Sequence, residues 1–214
     1  MVEEHSWDRR ERPPERGPGT GTADELREAL KLVAVCLKQG GLTFALGGGY
    51  AAWARGGPEP DHDVDFVLPF ADVEQAKTLF AEKGLRVEQP PEDWLFKVYV
   101  GDAMVDVIHH LGADPVSAAA MQGTESLEVL SVRMPVLSAT DLITHKLRAL
   151  DEHQCDFARL LPVARALREQ VAWDEVQAWA RANNDFALAF LFLLQRLEVL
   201  DGAAAEDTTG SVNR

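Results

Sequence analysis

FALGGGYAAWARGGPEPDHDVDFVL, residues Phe44 to Leu68, decides how the rest of the chain is organised. An apolar start predicts a short strand over Leu42 to Leu46, and three glycines predict a tight turn. Tyr50 to Arg55 then reads as a short helix, and Gly56-Gly57-Pro58-Glu59-Pro60 as a loop. A second strand follows with Asp63 and Asp65 on it. Residues i and i+2 of a strand share a face. The two carboxylates therefore project together, while Val64, Phe66 and Leu68 point to the other side and into a core. Paired carboxylates on a rigid strand make a hard-oxygen site suited to Mg²⁺. The glycines upstream would let phosphate groups approach backbone N–H donors at a helix start.

Outward from that stretch, a helix begins at Thr22, where Glu25 completes a capping box. Leu26, Leu30, Val33 and Leu37 recur on one face, and Gly40-Gly41 end it. After Leu68 a helix is expected from Phe70 to Lys83, then an edge strand at Leu85 to Val87. Trp94 to Val100 and Ala103 to His109 read as a hairpin closed by Gly101-Asp102. Counting back from that turn sets Lys97 opposite Asp106, an opposite-charge cross-strand pair. A helical turn over Pro115 to Met121 and a strand near Leu127 to Val132 come next. Ser138 then caps a helix running to Leu150 that carries His145, Lys146 and Arg148.

From Asp156 onward the pattern is helical: Phe157 to Arg168, Trp173 to Asn183, and Phe186 to Leu200. The last is apolar nearly all round and is predicted to be the buried helix of a bundle. The expected fold is α/β: a mixed sheet with flanking helices, followed by a C-terminal helical bundle. The expected division is a disordered segment over 1–21, a sheet domain over 22–137, a helical region over 138–201 and a polar tail over 202–214.

The chain has 214 residues, 46% hydrophobic and 26% charged, enough to bury a core in one large domain or two small ones. A formal net charge of −14 opposes loose binding to nucleic acid or anionic membrane, though not a local basic pocket. Two cysteines, Cys36 and Cys155, do not make a disulfide framework and are expected to be free and buried. With no apolar signal core and no apolar run of membrane-spanning length, a cytoplasmic protein without a membrane partner is expected.

Gly48 and Gly49, thirteen residues, then Asp63-Val64-Asp65-Phe66 resembles the signature of the nucleotidyltransferase superfamily related to polymerase beta. In that family a third carboxylate lies on a later strand, a place matched by Asp106 in Met104-Val105-Asp106-Val107-Ile108. The resemblance implies that Asp63, Asp65 and Asp106 hold Mg²⁺, with Mn²⁺ as its substitute, and that Asp106 also helps deprotonate an acceptor hydroxyl. It implies that Gly48 and Gly49 hold the triphosphate of an NTP. Many relatives have Ser or Thr where this chain has Gly49, so any role for that hydroxyl is absent.

The chain looks most like the minimal bacterial branch, which holds antibiotic nucleotidyltransferases and the toxins of toxin–antitoxin pairs. In that branch a lysine on the helix after the sheet meets the phosphates, and Lys146 matches it. The activity implied is transfer of a nucleoside monophosphate to a tRNA 3′ end, a protein hydroxyl or a small molecule such as an antibiotic. The alternative is a toxin-like protein whose role is to bind an antitoxin, with weak or lost catalysis.

Other residues draw plainer expectations. Lys97 is read as the ion-pair partner of Asp106, and Asp61 as a solvated cap. His109 and His110 read as surface or pocket histidines. Asp156 is a candidate to orient Lys146, and Trp53, Trp94 and Trp173 are assigned to the core.

Overall fold

The computed structural model describes residues 21–60 and 63–200. Apart from Gly21, the residues expected to be disordered at the two termini lie outside those described, as does the capping role expected of Asp61. Helix α1 (Ala23–Gln39) opens on the expected capping box: Thr22 accepts from Glu25 N, and the Glu25 side chain returns to Thr22 N at 2.6 Å. Its apolar stripe, including Leu26, Leu30, Val33 and Leu37, is fully buried and packs on the strands behind it.

The first strand, β1, is only Ala45–Leu46, shorter than predicted, and helix α2 (Gly48–Ala54) starts two residues earlier than predicted. Strand β2 (Val64–Val67) follows. A 3-10 turn at Phe70–Asp72 leads into α3 (Val73–Glu82). Next come β3 (Arg86–Glu88), β4 (Leu95–Val100) and β5 (Ala103–Ile108). A two-stranded ribbon, β6 (His110–Leu111) with β7 (Asp114–Pro115), was not expected. A 3-10 turn at Ala118–Met121 precedes β8 (Glu125–Val129) and β9 (Val132–Val136), where one strand had been predicted. Helices α4 (Ala139–Arg148), α5 (Phe157–Leu167), α6 (Trp173–Asn183) and α7 (Asp185–Arg196) are the last elements among the described residues.

Among the described residues seven strands form one mixed sheet in the order β3-β4-β5-β2-β1-β9-β8. β5 and β2 run parallel, as do β1 and β9, and the other neighbours are antiparallel. One face is dry: Val64, Phe66, Phe96, Val98, Val105 and Val107 are fully buried. α1 packs against β2, β4, β5 and β9. The α/β architecture with a C-terminal helical region is as expected.

α7 differs from its prediction. Phe190, Leu191 and Leu194 are buried, but Phe192 is 63% exposed and Phe186 and Leu197 are exposed as well, so one face of this helix is uncovered by the described residues. Cys36 is buried as expected, whereas Cys155 is exposed. No helix among the described residues is long and apolar enough to cross a membrane.

Candidate active site

The site begins with register. β2 and β5 pair in parallel with Asp65 directly beside Asp106, and β4 sets Lys97 beside Asp106 from the other side. One transverse row across the sheet therefore reads Lys97, Asp106, Asp65. Period-2 alternation puts Val64 and Phe66 on the dry face and leaves the charged row on the other. The Lys97 ammonium donates to Asp106 Oδ1 at 2.9 Å, and both side chains are mostly enclosed. The hairpin register counted from Gly101-Asp102 is the one observed, Val100 opposite Ala103.

The glycine turn is fitted to Asp65. Gly47 N donates to Asp65 O at 2.8 Å, and Gly49 N donates to the Asp65 carboxylate. Gly48 sits at φ +55°, and a Cβ there would lie 1.7 Å from Asp65 Oδ2. Only glycine lets the backbone pass this close to the carboxylate. A Cβ at Gly49 would stand 2.7 Å from the Pro60 Cβ, so the turn is also closed against the following loop. That loop is tied to α1 by Arg27, whose guanidinium meets Glu59 at 2.6 Å.

Lys146 reaches the site by a different route. Leu137 N donates to Leu46 O, which fastens the end of β9 beside the glycine turn. Ser138 follows and caps α4, accepting from Asp141 N at 3.0 Å while its own hydroxyl donates to Asp141 Oδ2 at 2.7 Å. Lys146 lies about two helical turns further on, roughly 10 Å along the axis, where it acts electrostatically on Asp65. Arg55, at the end of α2, braces the same junction by donating Nε to Leu137 O at 2.7 Å.

Burial first, then the charges of Asp106 and Asp63, pushes the Asp65 carboxyl up to about 6, against the opposing charge of Lys146 and the Gly49 N–H. Burial likewise raises Asp106, although the Lys97 hydrogen bond pulls the other way. The Lys146 ammonium is lowered by burial, an effect that Asp65 partly offsets. A carboxylate cluster of this kind is short of positive charge. Among the described residues no three His, Cys, Asp or Glu side chains converge into a metal cage. Mg²⁺ needs none, since it usually takes one or two carboxylates and completes its shell with water and phosphate oxygens. Hard oxygens that are desolvated and mutually repelling fit such a cation.

Asp65 and Lys146 open onto a cleft of about 820 Å³ between the sheet and the helices α4 and α6. Its walls include Arg148, which the sequence places on the Lys146 helix, and Trp179 and Asn183, which no sequence pattern marks. Trp179 and Asn183 lie on α6, distant in the chain from the sheet and from α4. Trp94, assigned to the core, is 41% exposed and lines this cleft. His110 lines it too, whereas His109 is buried, its ring Nδ1 at 2.8 Å from that of His110. Asp156 neither orients Lys146 nor enters the cleft; its carboxylate caps α5 by accepting from Ala158 N and Arg159 N.

No protein-family model matches the chain, and no curated protein matches it. Solved structures do. The antibiotic-resistance factor ANT(2'')-Ia in solution aligns over 80% of this chain and 94% of its own, at 18% identity and a TM-score of 0.54. The crystal structure of ANT(2'')-Ia in complex with adenylyl-2''-tobramycin covers 78% of this chain and 98% of its own, at 17% identity and a TM-score of 0.53. An antigenic nucleotidyltransferase-like protein from Paracoccidioides brasiliensis covers 82% and 89%, at 11% identity and a TM-score of 0.51. The chain thus has the nucleotidyltransferase fold seen in these proteins.

Proposed function

We propose that the chain is a nucleotidyltransferase that moves a nucleoside monophosphate from an NTP to a hydroxyl acceptor and releases pyrophosphate. The observation that carries this reading is the pairing of Asp65 with Asp106 across two parallel strands, with the Gly48 backbone pressed against Asp65 and Lys146 acting on it from α4. The fold it shares with ANT(2'')-Ia supports the same reading.

In this proposal Asp63, Asp65 and Asp106 would share Mg²⁺ or Mn²⁺, one or two carboxylates to an ion with water and phosphate oxygens completing each shell, and the metal would neutralise charge on the triphosphate and the leaving pyrophosphate. Lys146 supplies a point charge to the phosphates, work for which an ammonium is suited. Gly48 and Gly49 would let the triphosphate approach the backbone at close range because no side chain intervenes, with the Gly49 N–H already given to the Asp65 carboxylate. The acceptor oxygen bonds to the α-phosphorus as the bond to pyrophosphate breaks, and the acceptor proton passes to Asp106. Lys97 occupies Asp106 Oδ1, so the proton goes to the other oxygen. Burial favours that transfer by raising Asp106.

The division into a sheet domain over 22–137 and a helical region over 138–201 is part of the same proposal, since it places Lys146 on the second part and the carboxylates on the first. The acceptor is a tRNA 3′ end, a protein hydroxyl or a small molecule; an antitoxin partner rests on the sequence resemblance alone. The test is to incubate the protein with α-labelled NTPs, Mg²⁺ and, separately, total tRNA, protein extract and hydroxylated antibiotics. Label should reach one acceptor class and disappear in Asp63→Ala and Asp106→Asn. A folded wild-type protein that labels none of them and releases no pyrophosphate would overturn the reading.

A further inference from the structure

The cleft continues well past the carboxylates, and its outer part has a different character. Along the exposed face of β5 and its continuation, Asp106, Ile108 and His110 follow one another at i, i+2 and i+4. At about 3.3 Å per residue the last lies roughly 13 Å beyond the first. The floor between is aliphatic, formed by Val67 of β2, Ile108 and Leu111. Trp94 stands at the far end, fixed there because its carbonyl accepts from His109 N at 2.9 Å and from His110 N at 3.1 Å. The roof comes from α4 and α6: Arg148 lies two residues beyond Lys146, and its guanidinium carbon sits 5.2 Å from the centre of the Trp179 ring. Arg148, Trp179 and Trp94 all line the same cleft.

We propose that this outer half is a stacking subsite for a planar heteroaromatic ring, with Trp179 and Trp94 as its flat surfaces and Arg148 as its cation. Three observations converge on that chemistry. Two indoles face one cavity, and one of them is left 41% exposed at its rim. An indole covers large area at little entropic cost and stacks on any ring with a π-face. The cation near the indoles is an arginine, whose flat guanidinium stacks as readily as it pairs. Finally, Asp114 is the one carboxylate lining the cleft beyond Asp65 among the described residues. With Asp65 and Asp114 facing Lys146 and Arg148, the lining carries no net excess of charge, so flat surface rather than charge sets the ligand chemistry there.

A heteroaromatic ring could arrive on the NTP, as its base, or on the acceptor, as a nucleoside bearing the hydroxyl. That choice of owner rests on the nucleotidyl-transfer reading; the stacking surface itself does not. The experiment measures dissociation constants by calorimetry for ATP and for inorganic tripolyphosphate, both with Mg²⁺. It also follows tryptophan fluorescence on adding adenosine or adenylyl-(3′,5′)-adenosine to protein saturated with tripolyphosphate.

If the base of the NTP uses the subsite, ATP should bind roughly tenfold tighter than tripolyphosphate, a gain within the range of base–aromatic stacking. Trp179→Leu should abolish that gain, Trp179→Phe should keep most of it, and tripolyphosphate affinity should not change in either. If the acceptor uses it, ATP and tripolyphosphate should bind alike while the nucleosides quench fluorescence with the same dependence on position 179. Arg148→Gln, at an exposed position on α4, should weaken whichever ring-dependent binding is found by about two- to fivefold without disturbing the fold.

The proposal is overturned if no ring-bearing ligand gains over tripolyphosphate, or if the gain survives Trp179→Leu and Arg148→Gln alike. Label transfer that proceeds without any ring-dependent gain would sink the subsite and leave the transferase. Ring binding that depends on Trp179, in a protein that transfers no label, would do the reverse.

Discussion

Gly48→Ala probes the closest contact in the site, and its cost follows from two independent sources. The backbone at Gly48 sits at φ +55°, where an L side chain costs roughly 1–2 kcal/mol per residue. The added Cβ would also stand 1.7 Å from Asp65 Oδ2, 2.5 Å from its Cγ and 2.9 Å from its Cβ. Oδ2 ends a short side chain and can turn aside, but Cγ and Cβ cannot move far, because Asp65 lies on a strand paired on both sides. Forcing such an overlap costs typically 1–3 kcal/mol in displaced side chain and backbone. Together the substitution should destabilise by roughly 2–5 kcal/mol, a large part of the 5–15 kcal/mol that usually separates folded from unfolded.

Urea unfolding reads the total, and a double-mutant cycle with Asp65→Ala separates the sources. Truncating Asp65 removes the carboxylate from the overlap and leaves the strained φ and the Cβ contact. Gly48→Ala should then cost at least about 1 kcal/mol less in the Asp65→Ala background than in the wild type. Equal cost in the two backgrounds would refute the close approach, and a cost below about 0.5 kcal/mol in both, ordinary for a surface change, would refute the strained turn as well.

The remaining predictions address the charges, the helix that carries Lys146, and a turn. Asp65 has a folded pKa raised to about 6 against about 3.9 unfolded, so the native state binds the extra proton. Stability of the metal-free protein should therefore be greatest below pH 4 as far as this group is concerned. It should fall by roughly 3 kcal/mol as the pH rises to 6 and stay level above. Asp65→Asn should remove that slope in denaturation curves taken in EDTA, and a slope unchanged by the substitution would assign it elsewhere. Ser138→Ala deletes the cap of α4 and should lower stability by about 1 kcal/mol, read as a shift of the urea midpoint at constant m. Ser131→Gly relieves an exposed residue at φ +65° and should raise stability by roughly 0.5–1 kcal/mol in the same measurement. A loss there would show that Ser131 makes a compensating bond.

How much of this was legible depended on whether the decisive contact was local. The capping box at Thr22 and Glu25, the Ser138 cap and the Gly101-Asp102 hairpin are all short-range patterns, and the structure has each of them. Hairpin register then placed Lys97 on Asp106 by counting alone. The parallel neighbour could not be counted, because β2 and β5 are joined through α3, β3 and β4, and no turn sets their register. That Asp65 lies directly beside Asp106 is therefore new information. The β8–β9 hairpin was missed because Leu130 and Ser131, both at positive φ, take a turn that normally selects Asn-Gly. α2 begins on glycines, poor helix formers, because the fit to Asp65 outweighs propensity there. The stretch Phe186–Leu200 reads as apolar all round, yet burial depends on what packs against it, and the described residues leave Phe192 uncovered. Trp179 gives no local signal at all; its role depends on α6 meeting α4 over a distant strand.

The carboxylate row also accounts for why so much of the fold is arranged around it. Asp63, Asp65 and Asp106 repel one another in a chain whose net charge is already −14, and one cation, Lys97, is committed to Asp106. Lys146 is itself half-buried and lowered by that burial, so it cannot fully offset Asp65. Such an arrangement persists only where surrounding structure over-determines it. Here the bracing is visible: Gly47 and Gly49 bond to Asp65, Arg55 holds the β9–α4 junction, and Arg27 ties down the loop before Asp63. The roughly 3 kcal/mol disfavouring ionised Asp65 above pH 6 is then available to whatever positive charge binds there. A divalent cation entering from the cleft would recover it. The closeness that makes Gly48 irreplaceable thus leaves Asp65 without a side-chain ion pair of the kind Lys97 makes with Asp106, with Lys146 acting on it only electrostatically.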